Sequence, residues 1–268
     1  MVKYSQILCK QALSTSGLPD LDYSLNPYFG CEHGCIFCYS PSVFRNKKIA
    51  EDWGEFVKAK INIPEVLSKQ ISKIPKGVVG ISTVTDPYQP LEAELCLTRR
   101  CIEILSEKEF PVSIQTKSDL VLRDKDLIKG KGFDLGVTLI TLDSQLMKEL
   151  GPRASAPEAL IQVLEEFTKQ GLHTWIFFGP IIPEINDDEE TVTQIARIAK
   201  KTNSTIIYDK LNLKRYVLDS MEAFLKRNKQ DFERIKMALS KNSEYWNKIQ
   251  TRINQICKRE DIKFRYAF

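Results

Sequence analysis

Cys31, Cys35 and Cys38 stand in the run Asn26-Pro-Tyr-Phe-Gly-Cys-Glu-His-Gly-Cys-Ile-Phe-Cys-Tyr39. Three thiolates on one tight loop can hold three corners of a cubane iron–sulfur cluster. The fourth iron then lacks a protein ligand, and an open metal position is where chemistry takes place, as it is for catalytic zinc. Zinc itself is the rival, because the same cysteines with His33 supply four ligands. Zinc sites of that kind usually recruit a second Cys or His pair downstream, and none follows. Disulfides fit poorly. The cysteine count of seven is odd, and no signal-peptide pattern follows Met1, so a reducing, cytoplasmic setting is expected. Cys9, Cys96, Cys101 and Cys257 show no two-residue spacing and read as structural thiols rather than a second cluster.

The elements that must position such a loop come next. A chain of 268 residues with 43% hydrophobic content is long enough for a substantial core. No stretch approaches the roughly 20 apolar residues of a membrane span. The net charge of +4 comes from 39 basic and 35 acidic residues and does not by itself argue for nucleic acid. Lys210, Lys214, Arg215, Lys226, Arg227, Lys229, Arg234, Lys236 and Lys241 make the C-terminal third locally basic. Interleaved acids favour a solvated helical face over a phosphate-binding surface.

Short β-branched runs alternate with helical patterns, the signal of βαβ units and a parallel sheet. Expected strands are Tyr23–Asn26, Val78–Val84, Val112–Thr116, Leu135–Ile140, Thr174–Phe178 and Thr205–Tyr208, read as apolar runs covered on both faces. Expected helices are Ile63–Ile74, Leu95–Lys108, a segment capped by Asp143 and ending at Leu150, Glu158–Lys169, and one capped by Asp187 or Asp188 and running through Lys200. After about Leu213 the pattern turns helical, over Met221–Lys226 and Gln230–Cys257, before a short tail, Ile262–Phe268. No linker rich in Gly, Ser or Pro interrupts the chain, so residues 1–268 are expected to form a single domain with a core of about 20–212 and a helical extension of about 213–268.

The Cys-x3-Cys-x2-Cys spacing, with Phe37 before the third cysteine, resembles the signature of the radical S-adenosylmethionine superfamily. The run from Asn26 to Tyr39 is similar to that of its spore photoproduct lyase-related, DNA-repair photolyase-like group. So are Thr85-Asp-Pro-Tyr-Gln-Pro90 with Glu92, Thr98-Arg-Arg100, and Gly179-Pro-Ile-Ile-Pro183 with Asn186 and Asp187. The resemblance implies a partial (β/α)6 barrel, a [4Fe–4S] cluster on the three cysteines, and S-adenosylmethionine chelated at the open iron. It further implies reductive cleavage to a 5′-deoxyadenosyl radical and an electron donor of flavodoxin or ferredoxin type. The substrate stays open, with nucleic acid among the candidates. The alternative is a non-catalytic iron–sulfur or zinc module that senses redox state or recruits a partner.

In that frame Phe37 and Tyr39 border the adenine. Thr83, Thr85 and Asp86 replace the family's usual Gly-Gly-Glu-like segment against the amino group, although an Asp-Pro turn is the alternative. Lys117 follows the third strand and suits a carboxylate. Thr138 and Thr141 suit ribose or carboxylate, or serve only as strand formers. Arg153 suits a carboxylate clamp, or is a surface arginine. Gly179 allows close approach, and Ile181 with Ile182 packs on adenine. His173 reads as structural, and Tyr28, Tyr39 and Tyr88 as packing aromatics or hydrogen-atom donors. The chain departs from photoproduct lyases at Gly80–Thr85, where no hydrogen-donor thiol appears, so thymine-dimer repair is not expected.

Overall fold

The computed structural model describes residues 1–240 and 243–267, so Lys241 and Phe268 of the sequence reading lie outside the described residues. In chain order the strands are β1 (Lys3–Ile7), β2 (Leu13–Thr15), β3 (Tyr23–Leu25), β4 (Tyr28–Phe29), β5 (Phe56–Lys60) and β6 (Val79–Ile81). They continue as β7 (Val112–Thr116), β8 (Phe133–Thr138), β9 (His173–Ile181), β10 (Thr205–Lys210) and β11 (Phe264–Tyr266). The main sheet runs β2-β3-β6-β7-β8-β9-β10-β11. Every neighbouring pair is parallel except β2 with β3. The six expected strands form its centre in sequential order. A second sheet, β1-β5-β4, backs the cysteine loop.

The central strands are not covered by apolar packing on both faces. In β7, Val112, Ile114 and Thr116 are buried while Ser113 and Gln115 are half-buried. The buried rows lie in the main core with side chains of the helices Leu97–Glu107, Pro157–Lys169 and Glu189–Lys201. The other face lines a cavity of about 580 Å³, with Ser113 and Gln115 from β7, Asp134 and Thr138 from β8, and Trp175 and Phe177 from β9. The period-2 alternation of a strand separates the two rows.

Three glycines on the inner face make room for side chains that lie across the sheet. A Cβ on Gly80 would meet Leu21 at 2.5 Å, one on Gly136 the Trp175 ring at 2.3 Å, and one on Gly179 the Phe177 ring at 2.5 Å.

The helix read as Leu95–Lys108 breaks at Cys96, whose φ is +50°, leaving Glu92–Leu95 and Leu97–Glu107. The segment read as Gln230–Cys257 holds two helices, Phe232–Ala238 and Glu244–Arg259, and Met221–Lys226 extends to Arg215–Arg227. The short tail carries a strand: β11 pairs with β10, from Ile206↔Phe264 to Tyr208↔Tyr266. Val217, Phe224, Trp246, Ile253 and Ile256 join the main core, so the C-terminal helices pack on the barrel rather than apart from it. No described helix is long and apolar enough to cross a membrane.

Candidate active site

The cysteine loop leaves β4 at Gly30, whose φ is +89° and where a Cβ would sit 2.5 Å from the Phe56 carbonyl oxygen. Only glycine meets both demands. Gly34 (φ +61°) and Gly54 (φ +94°) face each other so closely that a Cβ on Gly54 would lie 2.9 Å from Gly34 Cα. The loop is clamped from above. Gln89, fully buried, accepts from Glu32 N–H at 2.9 Å and donates to Thr85 Oγ1 at 3.0 Å. Thr85 in turn donates to the Gly30 carbonyl at 2.6 Å. Arg153 holds the outer side, donating to the carbonyls of Glu32 at 3.1 Å and Gly54 at 2.9 Å.

All three cysteines line the cavity, Cys31 and Cys35 buried and Cys38 half-buried. Burial pushes the Cys35 thiol up to about 12. Burial, with Asp86 adding to it, raises the Cys31 thiol well above its ordinary value. Metal binding must therefore displace protons from these thiols. Lys117 lies on the same wall. Burial alone would lower its pKa, but Cys35, Asp86, Cys38 and Cys31 together hold it above the ordinary lysine value. Its Nζ has no hydrogen-bond or ion-pair partner among the described residues.

Asp86 is not free to meet a ligand's amino group. Its Oδ1 accepts from Tyr88 N–H at 3.0 Å and Thr116 Oγ1 at 2.7 Å. Its Oδ2 accepts from Lys117 N–H at 2.9 Å and lies 3.4 Å from His33 Nδ1. Burial would raise this carboxyl, but His33, Lys117 and Thr116 outweigh it and depress the pKa. Asp86 thus ties the cysteine loop to the end of β7. The unsatisfied group at this strand end is Ser82, at φ +63°, whose buried hydroxyl has no partner and which lines the cavity. Sequence reading missed it because a serine at a strand end carries no signal of its own.

Other expectations sort by geometry. Phe37, Tyr39, Thr83, Thr85, Thr138 and Gly179 line the cavity. Tyr39 donates to the Thr83 carbonyl, and burial pushes its phenol up to about 12. Thr138 accepts from Gln115 at 3.0 Å. The space beside Gly179 is taken by the Phe177 ring. Ile181 and Ile182 are fully buried in the core and cannot pack on a ligand in the cavity. Arg153 is engaged on loop carbonyls and on Glu55 Oε1 at 3.2 Å and does not line the cavity. Thr141 accepts from Asp143 N–H in a turn.

Tyr28 and Tyr88 lie off the cavity, bonded to Glu92 and Asp124. Glu92, fully buried, also accepts from Thr98 N–H, Arg99 N–H and Arg123 Nη2, so that motif is a structural frame. Cys101 is fully buried, Cys96 receives Arg123 Nη1 at 3.4 Å, and neither lines the cavity.

The donor set fits a cluster and an amino-acid-bearing cofactor. Three thiols, an unpaired lysine and an orphaned buried hydroxyl open on one space. Among the described residues no three His, Cys, Asp or Glu side chains gather about a single-ion position.

Comparisons with known proteins agree. The chain is 30% identical over 214 residues to an uncharacterized protein of Methanocaldococcus jannaschii, covering 80% of this chain and 79% of that one. It is 26% identical over 184 residues to a radical SAM Nalpha-GlyT isomerase of Pseudomonas phage M6, covering 68% of this chain and 38% of the phage protein. Its fold superposes on spore photoproduct lyase complexed with dinucleoside spore photoproduct at TM-score 0.76. That match covers 99% of this chain and 82% of the lyase, at 12% identity. The family model of the radical SAM superfamily matches residues 25–195, and the chain belongs to that superfamily.

Proposed function

We propose that Cys31, Cys35 and Cys38 ligate one [4Fe–4S] cluster and that S-adenosylmethionine binds along the Lys117 side of the cavity, ahead of hydrogen abstraction from a substrate deeper in the barrel. Superfamily membership implies the cluster, S-adenosylmethionine and a reductant. The cluster and S-adenosylmethionine, when bound, supply one-electron reductive cleavage of a carbon–sulfur bond. Lys117 Nζ, without a protein partner, receives the cofactor carboxylate. Ser82 Oγ and the Thr83 segment receive its amino group in place of Asp86, which positions Lys117 and His33 instead. Phe37 and Tyr39 wall the adenine, and Gln115 orients the Thr138 hydroxyl toward the ribose.

The reductant is of flavodoxin or ferredoxin type, the setting is cytoplasmic, and residues 1–268 act as one domain. The observation that carries this reading is the convergence of three thiols, Lys117 and the orphaned Ser82 hydroxyl on one cavity. The test is anaerobic reconstitution with iron and sulfide, then dithionite and S-adenosylmethionine. The expected product is 5′-deoxyadenosine; its absence from protein with an intact cluster overturns the reading.

A further inference from the structure

We propose that the deep end of the barrel is a substrate subsite for a positively charged nitrogen, a protonated amine or a guanidinium, received by Asp134 beside the indole of Trp175. The subsite deepens the radical-enzyme reading and rests on it for what is done to the bound molecule.

The place is fixed by register. Ser113 of β7 pairs with Asp134 of β8, which pairs with His173 of β9. Lys117 follows Ser113 by four residues along the same strand direction, so this rung lies about 13 Å below the cofactor lysine. That distance leaves room for a substrate anchored here to present a C–H bond near the cofactor.

The carboxylate is pre-oriented. Gly136 pairs with Trp175 across the sheet, and the missing side chain lets the indole lie flat on β8. Indole Nε1 donates to Asp134 Oδ1 at 2.8 Å, and Ser113 Oγ donates to the same oxygen at 2.7 Å. Oδ2 has no protein partner among the described residues, although a carboxylate oxygen can accept two hydrogen bonds.

The charge is uncompensated. Asp134 lines the cavity and has no ion-pair partner among the described residues. Asp209 belongs to the other end: Ile207 aligns through Phe177 with Thr138, and Asp209 lies two residues further on. The cations on the cavity other than Lys117 are engaged elsewhere: Arg265 pairs with Asp20 at 2.9 Å, Lys210 Nζ sits 5.6 Å over the Trp246 ring and Lys214 Nζ 5.4 Å over the Tyr39 ring. Carboxylates in a partly desolvated cavity are costly without a counter-charge. A cationic group offsets that cost, and the Trp175 face adds cation–π attraction. Anionic groups are repelled from this end and accepted only at the Lys117 end.

The test is calorimetric titration of the anaerobically reconstituted protein with n-butylammonium and n-butylguanidinium, against n-butanol as the neutral probe at equal ionic strength. At least one cation binds at least about tenfold tighter than n-butanol, and the tighter of the two names the substrate nitrogen. Asp134→Asn removes most of that difference. Trp175→Phe, which keeps an aromatic face and drops the N–H, removes less. Equal binding of n-butanol and both cations overturns the subsite, as does cation binding unchanged in Asp134→Asn. Should Asp134→Asn fail to fold, the wild-type comparison of cations with n-butanol decides. A parallel 5′-deoxyadenosine assay on wild type separates the two readings. Product without cation selectivity sinks the subsite alone; selectivity without product sinks the reaction alone.

Discussion

The two ends of the barrel are built differently. At the cysteine end the supports of the loop are satisfied by the protein, and the groups left unpartnered among the described residues, Lys117 Nζ, the Ser82 hydroxyl and His33 Nδ1, stand around the cofactor space. Asp86 accepts from three donors, Gln89 and Thr85 bridge the loop backbone, and Arg153 closes it from outside. At the deep end Asp134 keeps unused acceptor capacity and has no cation. A saturated network rigidifies, whereas an unsaturated one waits for a ligand. The first end suits a cofactor that must sit in one geometry, and the second a substrate that comes and goes.

The largest effect that can break this contrast falls on the loop. Cys35→Ala leaves two thiols for a cluster that needs three, so iron content after reconstitution and 5′-deoxyadenosine formation both fall to background. Retention of either would show that the loop is not the metal site. Next is Lys117→Ala. Removing a charge-assisted contact of about 1.5–3 kcal/mol weakens S-adenosylmethionine binding by roughly 10- to 100-fold. The Asp86 hydrogen bond to the Lys117 backbone N–H is retained by alanine, so the cysteine loop keeps its tie to β7. Titration of the reconstituted protein with S-adenosylmethionine reads the loss, and an unchanged affinity would remove Lys117 from the cofactor site.

The cysteine end was largely legible in the sequence because its chemistry is local: three thiols on one loop and a lysine one residue past a strand. Its supports were not. Arg153 reaches carbonyls 99 and 121 positions away in sequence, and no local pattern predicts such a partner. Ile181 was misread because a strand-end position says nothing about which face a residue takes; Phe177 lines the cavity and Ile181 points into the core. The deep end was illegible for the same reason. Asp134 and Trp175 sit 41 positions apart and meet only through the β8–β9 register. The six central strands were legible from their buried rows. β1 was missed because four of its five residues are exposed, and β11 because three residues at a chain end carry too little pattern.

A smaller effect sharpens the deep end. Gly136→Ala places a methyl 2.3 Å from the indole carbons, which forces Trp175 to tilt. Overpacking of this kind costs about 1–3 kcal/mol, read as a lower denaturant midpoint. The tilt also breaks the Trp175–Asp134 bond, so cation binding weakens. A variant with both quantities unchanged would show that the indole is not pinned by the glycine.

The smallest effect concerns pH. Burial raises the Asp209 carboxyl above 3.8, with the Tyr266 hydroxyl and Lys210 only partly offsetting it. A carboxyl whose folded pKa is raised helps the fold at low pH, and that help is lost as pH rises through the raised value. Asp209→Asn removes the ionisable group, so the variant gains on wild type as pH rises through and above the ordinary carboxylate range. The gain in thermal midpoint at neutral pH is about 2–4 °C for each kcal/mol relieved. Asp86 runs the other way: its depressed pKa contributes stability above its ordinary value that is lost as pH falls. A thermal midpoint for Asp209→Asn that parallels wild type at every pH would mean that this carboxylate is already solvated and that burial costs it nothing.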